Sequence, residues 1–250
     1  MQIPVRIVLV ETSHPGNIGA SARAMKTMGL TDLALVRPKT FPSEEADARA
    51  SGAADVLARA RVFDSLVDAL ADCGFVAGAS ARSRSVEWPS ADPRECAKSV
   101  WQAVDDGARA AIVFGPERSG LTNEQLARCG QLVHIPTAPG FGSLNLAMAV
   151  QVLCYELRMA RLRPDRHDGA RAAPRHEPLA TAAELDGFHE HLERVLIQAG
   201  FLRSDHPHQL KLKLRRIFQR AALDRNEVNI LRGVLTALDP ARRSARGEDG

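Results

Sequence analysis

The strongest constraint on this chain is an alternation of two patterns through its first 160 residues. Short apolar, β-branched runs occupy residues 3–10, 33–36, 75–79, 111–114 and 132–135, with a weaker one at Val62 and Phe63. Between them, residues 18–28, 93–104 and 122–128 have helical spacing. Strands alternating with helices predict an α/β domain: a parallel sheet with helices on its faces. Leu146, Val150, Leu153 and Leu157 recur at i, i+4, i+7 and i+11, which predicts a further helix over 146–163, ending before Pro164. Residues 164–178 hold turn residues and charge with no apolar period and read as a linker. Helical patterns follow over 179–199, 208–223 and 227–238. The expected division is a sheet domain over 1–163, the linker 164–178, an α-helical module over 179–240, and a disordered tail over 241–250.

Composition serves mainly to exclude. No apolar run approaches the length of a membrane span, and the amino terminus enters a strand-like run without a signal pattern, so a cytoplasmic location is expected. Cys73, Cys96, Cys129 and Cys154 are far apart, with no Cys-x-x-Cys pair and no histidine at ligand spacing. Buried free thiols are expected, with neither a metal site nor a disulfide framework. Net charge is +3 and unevenly placed: residues 161–250 hold 17 basic against 13 acidic residues, while residues 1–160 hold 16 against 17. The carboxyl-terminal part is therefore the side suited to a polyanion.

The residues that carry chemistry stand where strand-like runs end. The first stretch is Pro15-Gly-Asn-Ile-Gly-Ala-Ser-Ala-Arg23. Asn17 occupies the place of an N-cap. Ile18, Ala22, Met25 and Gly29 share one helical face, which leaves Arg23 off that face and leaning back over the strand-to-helix loop. Gly16 and Gly19 do not make a dinucleotide fingerprint, because the full Gly-x-Gly-x-x-Gly and its later acidic residue are missing. The second stretch is Phe114-Gly-Pro-Glu-Arg-Ser-Gly-Leu121. Gly115 there permits close approach of a ligand, Pro116 stiffens the turn, and Glu117 is the lone carboxylate. Thr122 and Gln125 then form a capping-box pattern. The third stretch, residues 135–145, is rich in Gly and Pro and leads into a helix. Ser143 and Asn145 suit a cap, and bared N–H groups at such a place can also grip an adenosine and its carboxylate.

Two basic clusters complete the inventory. Arg82 and Arg84 stand two apart in the loop over 78–85. Lys211, Lys213, Arg215, Arg216 and Arg220 fall within ten residues with no acidic residue between them. Leu210, Leu214, Ile217 and Ala221 supply an apolar stripe, so this helix is expected to pack while its charges face phosphates. Taken singly, such charges are usually solvated surface.

Together and in this order, the three stretches resemble the motifs of the SpoU branch of the knotted SPOUT methyltransferases, which move a methyl group from S-adenosylmethionine to RNA. The resemblance covers residues 3–163 closely and the remainder in layout. It implies S-adenosylmethionine-dependent ribose 2′-O-methylation. The loop carrying Arg82 and Arg84 narrows the implied target to cytidine or uridine at position thirty-two of the tRNA anticodon loop. Arg23, Asn17, Glu117, Ser143 and Asn145 are the implied catalytic residues. Ala79, Ser80, Ala81, Gly115, Ile135, Ser143, Leu144 and Asn145 are implied at the cofactor. Arg82, Arg84, Lys211, Lys213, Arg216 and Arg220 are implied or expected at the RNA. A trefoil knot and a homodimer with the site near its interface are implied as well, and no metal. Relatives in this branch often carry Tyr-Ser-Ser-Leu-Asn where this chain has Phe141-Gly142-Ser143-Leu144-Asn145, so the Ser-Leu-Asn core stands without the tyrosine hydroxyl. Ribosomal RNA is the alternative substrate, and a non-catalytic RNA-binding protein on the same fold is the alternative class.

Overall fold

The structure, a computed structural model, describes residues 4–80, 89–139, 142–162, 177–202 and 208–239. Ala81, Arg82, Arg84, most of the linker and the tail over 241–250 lie outside the described residues. Seven strands form one sheet: β1 (Val5–Val10), β2 (Asp32–Val36), β3 (Arg61–Phe63), β4 (Phe75–Ala79), β5 (Ser90–Ala91), β6 (Ala110–Phe114) and β7 (Gln131–Val133). Their order is β3-β2-β1-β6-β4-β7-β5, and every pairing is parallel. In the centre, Ile7 stands opposite Leu33 on one side and Ile112 on the other. All six residues of β1 are buried, because both faces of the sheet are covered, and so its run shows no polar alternation.

One face carries α1 (Pro15–Met28), α2 (Glu44–Ala50), α3 (Ala54–Ala58), α5 (Pro93–Asp105) and α7 (Leu146–Leu162), packed on Ile7, Leu9, Leu35 and Ile112. The other carries α4 (Leu66–Leu70) and α6 (Asn123–Leu126) over Val8, Val10 and Val113. Gly19 is where α1 meets α2: a β-carbon there would stand 2.0 Å from the Ala46 carbonyl oxygen. The motif glycine thus serves helix packing. Gly29, expected on the buried face of α1, instead ends that helix in the left-handed region at φ 85°.

The carboxyl-terminal part folds as α8 (Ala182–Gln198), α9 (His208–Ala221) and α10 (Arg225–Leu238) around Leu185, Phe188, Val195, Val228 and Leu235. It docks where β4 and β7 begin. The Ala182 N–H donates to Cys73 O at 2.8 Å, and Gln219 of α9 lies against Arg128, just before β7. Asp186 accepts from both Arg128 and Arg215, joining the sheet domain, α8 and α9. The apolar stripe expected on α9 is corrected here, since Ile217 is 53% exposed. The face that packs is instead Lys211, Arg215 and Phe218, paired with Glu193, Asp186 and the Phe188 ring (4.7 Å, edge-on). Carboxylates on α8 select that face, which apolar periodicity alone does not register.

All four cysteines are buried, and burial pushes each thiol up to about 12. Thiolate is the reactive form, so these groups should be inert in the native protein. An aromatic disulfide reagent is expected to label none of them until denaturant is added; a fast native phase would contradict this burial.

Candidate active site

Parallel strands that are neighbours place their carboxyl ends on one edge, where α/β sheets bind ligands. Here β1 leads through Ser13 into α1, β6 into the turn at Gly115–Gly120, and β7 into the loop before α7. The three stretches are joined by one chain of hydrogen bonds. The Glu117 carboxylate accepts from the Ser13 N–H (3.1 Å) and hydroxyl (2.8 Å), the His14 N–H (3.3 Å) and Asn17 Nδ2 (2.9 Å). Asn145 Nδ2 donates to Asn17 Oδ1 at 3.0 Å, and Asn145 Oδ1 accepts from the Ala147 N–H at 2.9 Å, capping α7.

This chain decides what Glu117 can do. Burial acts to raise its pKa, but the hydrogen bonds from Asn17 and Ser13 outweigh burial and hold the carboxyl at about 2. It is ionised through the neutral range, and its lone pairs are occupied by fixed donors. It organises the site and is unsuited to take a proton. Asn17 corrects the expectation of an N-cap. Helix α1 starts at Pro15 with His14 at the cap position, so Asn17 lies in the first turn with its carboxamide free for Glu117 and Asn145. Gly115 has a further reason to be glycine: a β-carbon there would stand 2.4 Å from the Gly120 and Leu121 backbone, so the turn itself requires it. Ser13 was missed by sequence reasoning, because its partner is 104 residues away.

Beside this chain lies a cavity of about 420 Å³. Of the residues expected at a cofactor, Ala79, Ser80, Gly115, Ile135, Ser143 and Leu144 line it, Asn145 does not, and Ala81 lies outside the described residues. Phe114, Val133, Leu146 and Ala149 add an apolar wall, and Arg118, Ser119 and Thr137 a polar one. Volume and mixed lining suit a nucleoside-sized ligand bearing a polar tail. Leu146 and Ala149 are legible only in hindsight, as one face of the first turn of α7. Arg23 is exposed on α1, is not in the cavity lining, and makes no hydrogen bond or ion pair through its guanidinium with any described residue. Among the described residues, no group of three or more His, Cys, Asp or Glu could hold a metal ion.

The expected RNA-facing cations of α9 do not share one fate. Lys211 is paired with Glu193, and Arg216 has an interaction within the fold. Lys213 and Arg220 are exposed. None of them borders the cavity: α9 adjoins the residues just before β7, whereas the cavity lining begins at Val133, the last residue of that strand.

Residues 4–155 match the family model described as the SpoU rRNA Methylase family, and residues 183–250 match the tRNA methyltransferase TrmJ C-terminal domain. The chain is 51% identical over 244 residues to the tRNA (cytidine/uridine/adenosine-2′-O-)-methyltransferase TrmJ of Pseudomonas aeruginosa, covering 96% of this chain and 95% of that protein. The crystal structure of TrmJ from Z. mobilis superposes with a TM-score of 0.81 at 35% identity, covering 93% of this chain and 98% of that one. The SpoU methyltransferase AviRb of Streptomyces viridochromogenes, solved in complex with AdoMet, shares the fold at a TM-score of 0.51 and 19% identity, covering 63% of this chain and 57% of that one.

Proposed function

The chain belongs to the SpoU rRNA methylase family, and we propose from that premise that it transfers a methyl group from S-adenosylmethionine to a ribose 2′-oxygen in tRNA. The target in this reading is cytidine or uridine at position thirty-two of the anticodon loop. The observation that carries it is the hydrogen-bonded chain Ser13–Glu117–Asn17–Asn145, which gathers all three motifs beside one nucleoside-sized cavity. The tRNA named for a relative at 51% identity favours tRNA over ribosomal RNA. A cytoplasmic location follows from that substrate, and no helix among the described residues is long and apolar enough to cross a membrane.

When bound, S-adenosylmethionine supplies a methyl group on a sulfonium, whose thioether is already a good leaving group. The protein's part is to present the 2′-oxygen in line and to ease loss of its proton. Asn17 and Asn145, locked by Glu117 and by the cap of α7, hold the walls of the site in fixed orientation. Ser143 stands on the cavity wall to position the ribose. Arg23 acts as a cation that stabilises the alkoxide as it develops, and a backbone phosphate of the RNA takes the proton.

The reading includes a trefoil knot, the division at 163 and 178, and a homodimer. The outer face of α7 supports the dimer: Met148, Tyr155 and Leu162 form an exposed apolar stripe, with Met148 61% and Leu162 60% accessible. Helix α1, which carries Arg23, packs along α7. On the RNA side, Arg82 and Arg84 keep their proposed role at phosphates near the target, and Lys211 and Arg216 a weaker one. Lys213 and Arg220 meet a part of the folded tRNA remote from the target ribose. Neutralising Lys213 and Arg220 together should flatten the log–log salt dependence of tRNA affinity by about two units. An unchanged slope would make them plain surface. The function itself is tested by mapping 2′-O-methylation in tRNA from cells with and without the gene. Loss of one anticodon-loop ribose methyl is expected, and an unaltered tRNA profile would refute it.

A further inference from the structure

Among the described residues lining the cavity there is one acidic side chain, Glu117, and one basic, Arg118. Glu117 is occupied by Ser13, His14 and Asn17. Arg118 is exposed, and its guanidinium makes no hydrogen bond or ion pair with any described residue. The turn that carries it is fixed: the Gly120 N–H donates to Pro116 O at 2.8 Å, and Gly115 lies too close to Gly120 for any side chain. An arginine without a partner among the described residues thus stands on a rigid turn at the wall of the cavity.

The lining says which part of a ligand meets it. Phe114, Val133, Ile135, Leu146 and Ala149 form an apolar wall of the kind an adenine base occupies. The amino-acid end of the cofactor then falls to the polar wall, and its carboxylate is its one anionic group. We propose that Arg118 is a cofactor-binding residue that grips the methionine carboxylate of S-adenosylmethionine. The assignment rests on the methyltransferase reading above. A guanidinium presents two parallel N–H donors to a carboxylate, which a lysine ammonium does not reproduce.

Calorimetric titration separates this from other roles, using S-adenosylmethionine and its decarboxylated analogue on the wild type, Arg118→Ala and Arg118→Lys. The wild type should prefer the intact cofactor. Arg118→Ala should weaken intact cofactor by roughly 10–100-fold and leave the decarboxylated analogue within about twofold, with Arg118→Lys between. Equal weakening of both ligands would overturn the proposal and mark Arg118 as support for the turn. Unchanged cofactor affinity with a raised KM for tRNA would also overturn it, and would place the arginine on RNA phosphate. A wild type that binds neither ligand would refute the methyltransferase reading itself, an outcome distinct from both.

Discussion

Arg23→Ala is expected to slow methyl transfer to tRNA by about 10²–10³-fold while leaving the affinity for S-adenosylmethionine unchanged. Three observations set that expectation. The side chain is exposed and has no hydrogen-bond or ion-pair partner among the described residues, so its removal leaves no buried group unpaired and should not cost stability. It stands outside the cavity lining, so a cofactor bound there as proposed should not depend on it. It rides on α1 six residues, about one and two-thirds turns, beyond Asn17, whose carboxamide is part of the hydrogen-bonded chain. In the proposed mechanism this cation meets charge that exists only in the transition state. The loss should therefore fall on kcat, with little change in KM for tRNA. Arg23→Lys should recover part of the rate, because a point charge still stabilises an alkoxide. Near-normal turnover in Arg23→Ala under single-turnover conditions would remove the catalytic assignment. A matching loss of cofactor affinity would move Arg23 to the cofactor instead.

Much of this site was legible because each motif carries its own local logic. Strand β4 has the bounds its apolar run predicts, and α7 begins at Leu146 as the i, i+4, i+7 spacing requires. Doubly buried parallel strands advertise themselves as continuous apolar runs. The two-residue β5 does not: it is held by the backbone of β7, with the Leu132 N–H donating to Pro89 O and the His134 N–H to Ala91 O. Helices α2, α3 and α4 are five to seven residues long, too short for a period to register. Only their caps were readable in principle, Ser43 and Ser65 accepting from Glu45 and Asp68 N–H groups. Ser13 and the packed face of α9 were missed for a common reason: each is decided by a carboxylate distant in sequence, Glu117 in one case and Asp186 with Glu193 in the other. Local pattern gives the face a helix can bury. Long-range charge decides between candidates.

The largest effect on stability is expected from Arg6→Ala, at about 3 kcal/mol. Arg6 enters β1 inside an otherwise apolar run and is 1% exposed, the largest fully buried side chain of the described fold. Its guanidinium donates to both oxygens of Asp72 (2.6 and 3.0 Å), to Asp32 (3.2 Å) and to the Ala69 carbonyl oxygen (2.7 Å). It thereby ties β1, β2 and the end of α4 together. Arg61 and Arg109 reach the same two carboxylates from outside. Removing one member of a buried pair generally costs about 3–5 kcal/mol, mostly from the partner left without its counter-ion. Here Asp72 is 52% exposed and Arg109 remains, so solvent and a second cation soften the loss toward the low end. For a chain of this size that corresponds to a fall in Tm of about 6–12 °C. Arg6→Met should cost less than Arg6→Ala, because it forfeits the charge and its hydrogen bonds but still fills the space. The pH dependence has a definite sign. The hydrogen bond from Arg6 outweighs partial burial and lowers the Asp72 pKa below its ordinary 3.8. A depressed carboxyl stabilises the fold above its unfolded pKa and loses that contribution as pH falls through the folded value. Wild type should therefore lose stability below about pH 4 more steeply than Arg6→Met, in which Asp72 has lost that donor. Denaturant melts at pH 7 and pH 3 measure both effects. If Arg6→Ala shifted stability by less than about 1 kcal/mol, the cluster would be incidental to the fold.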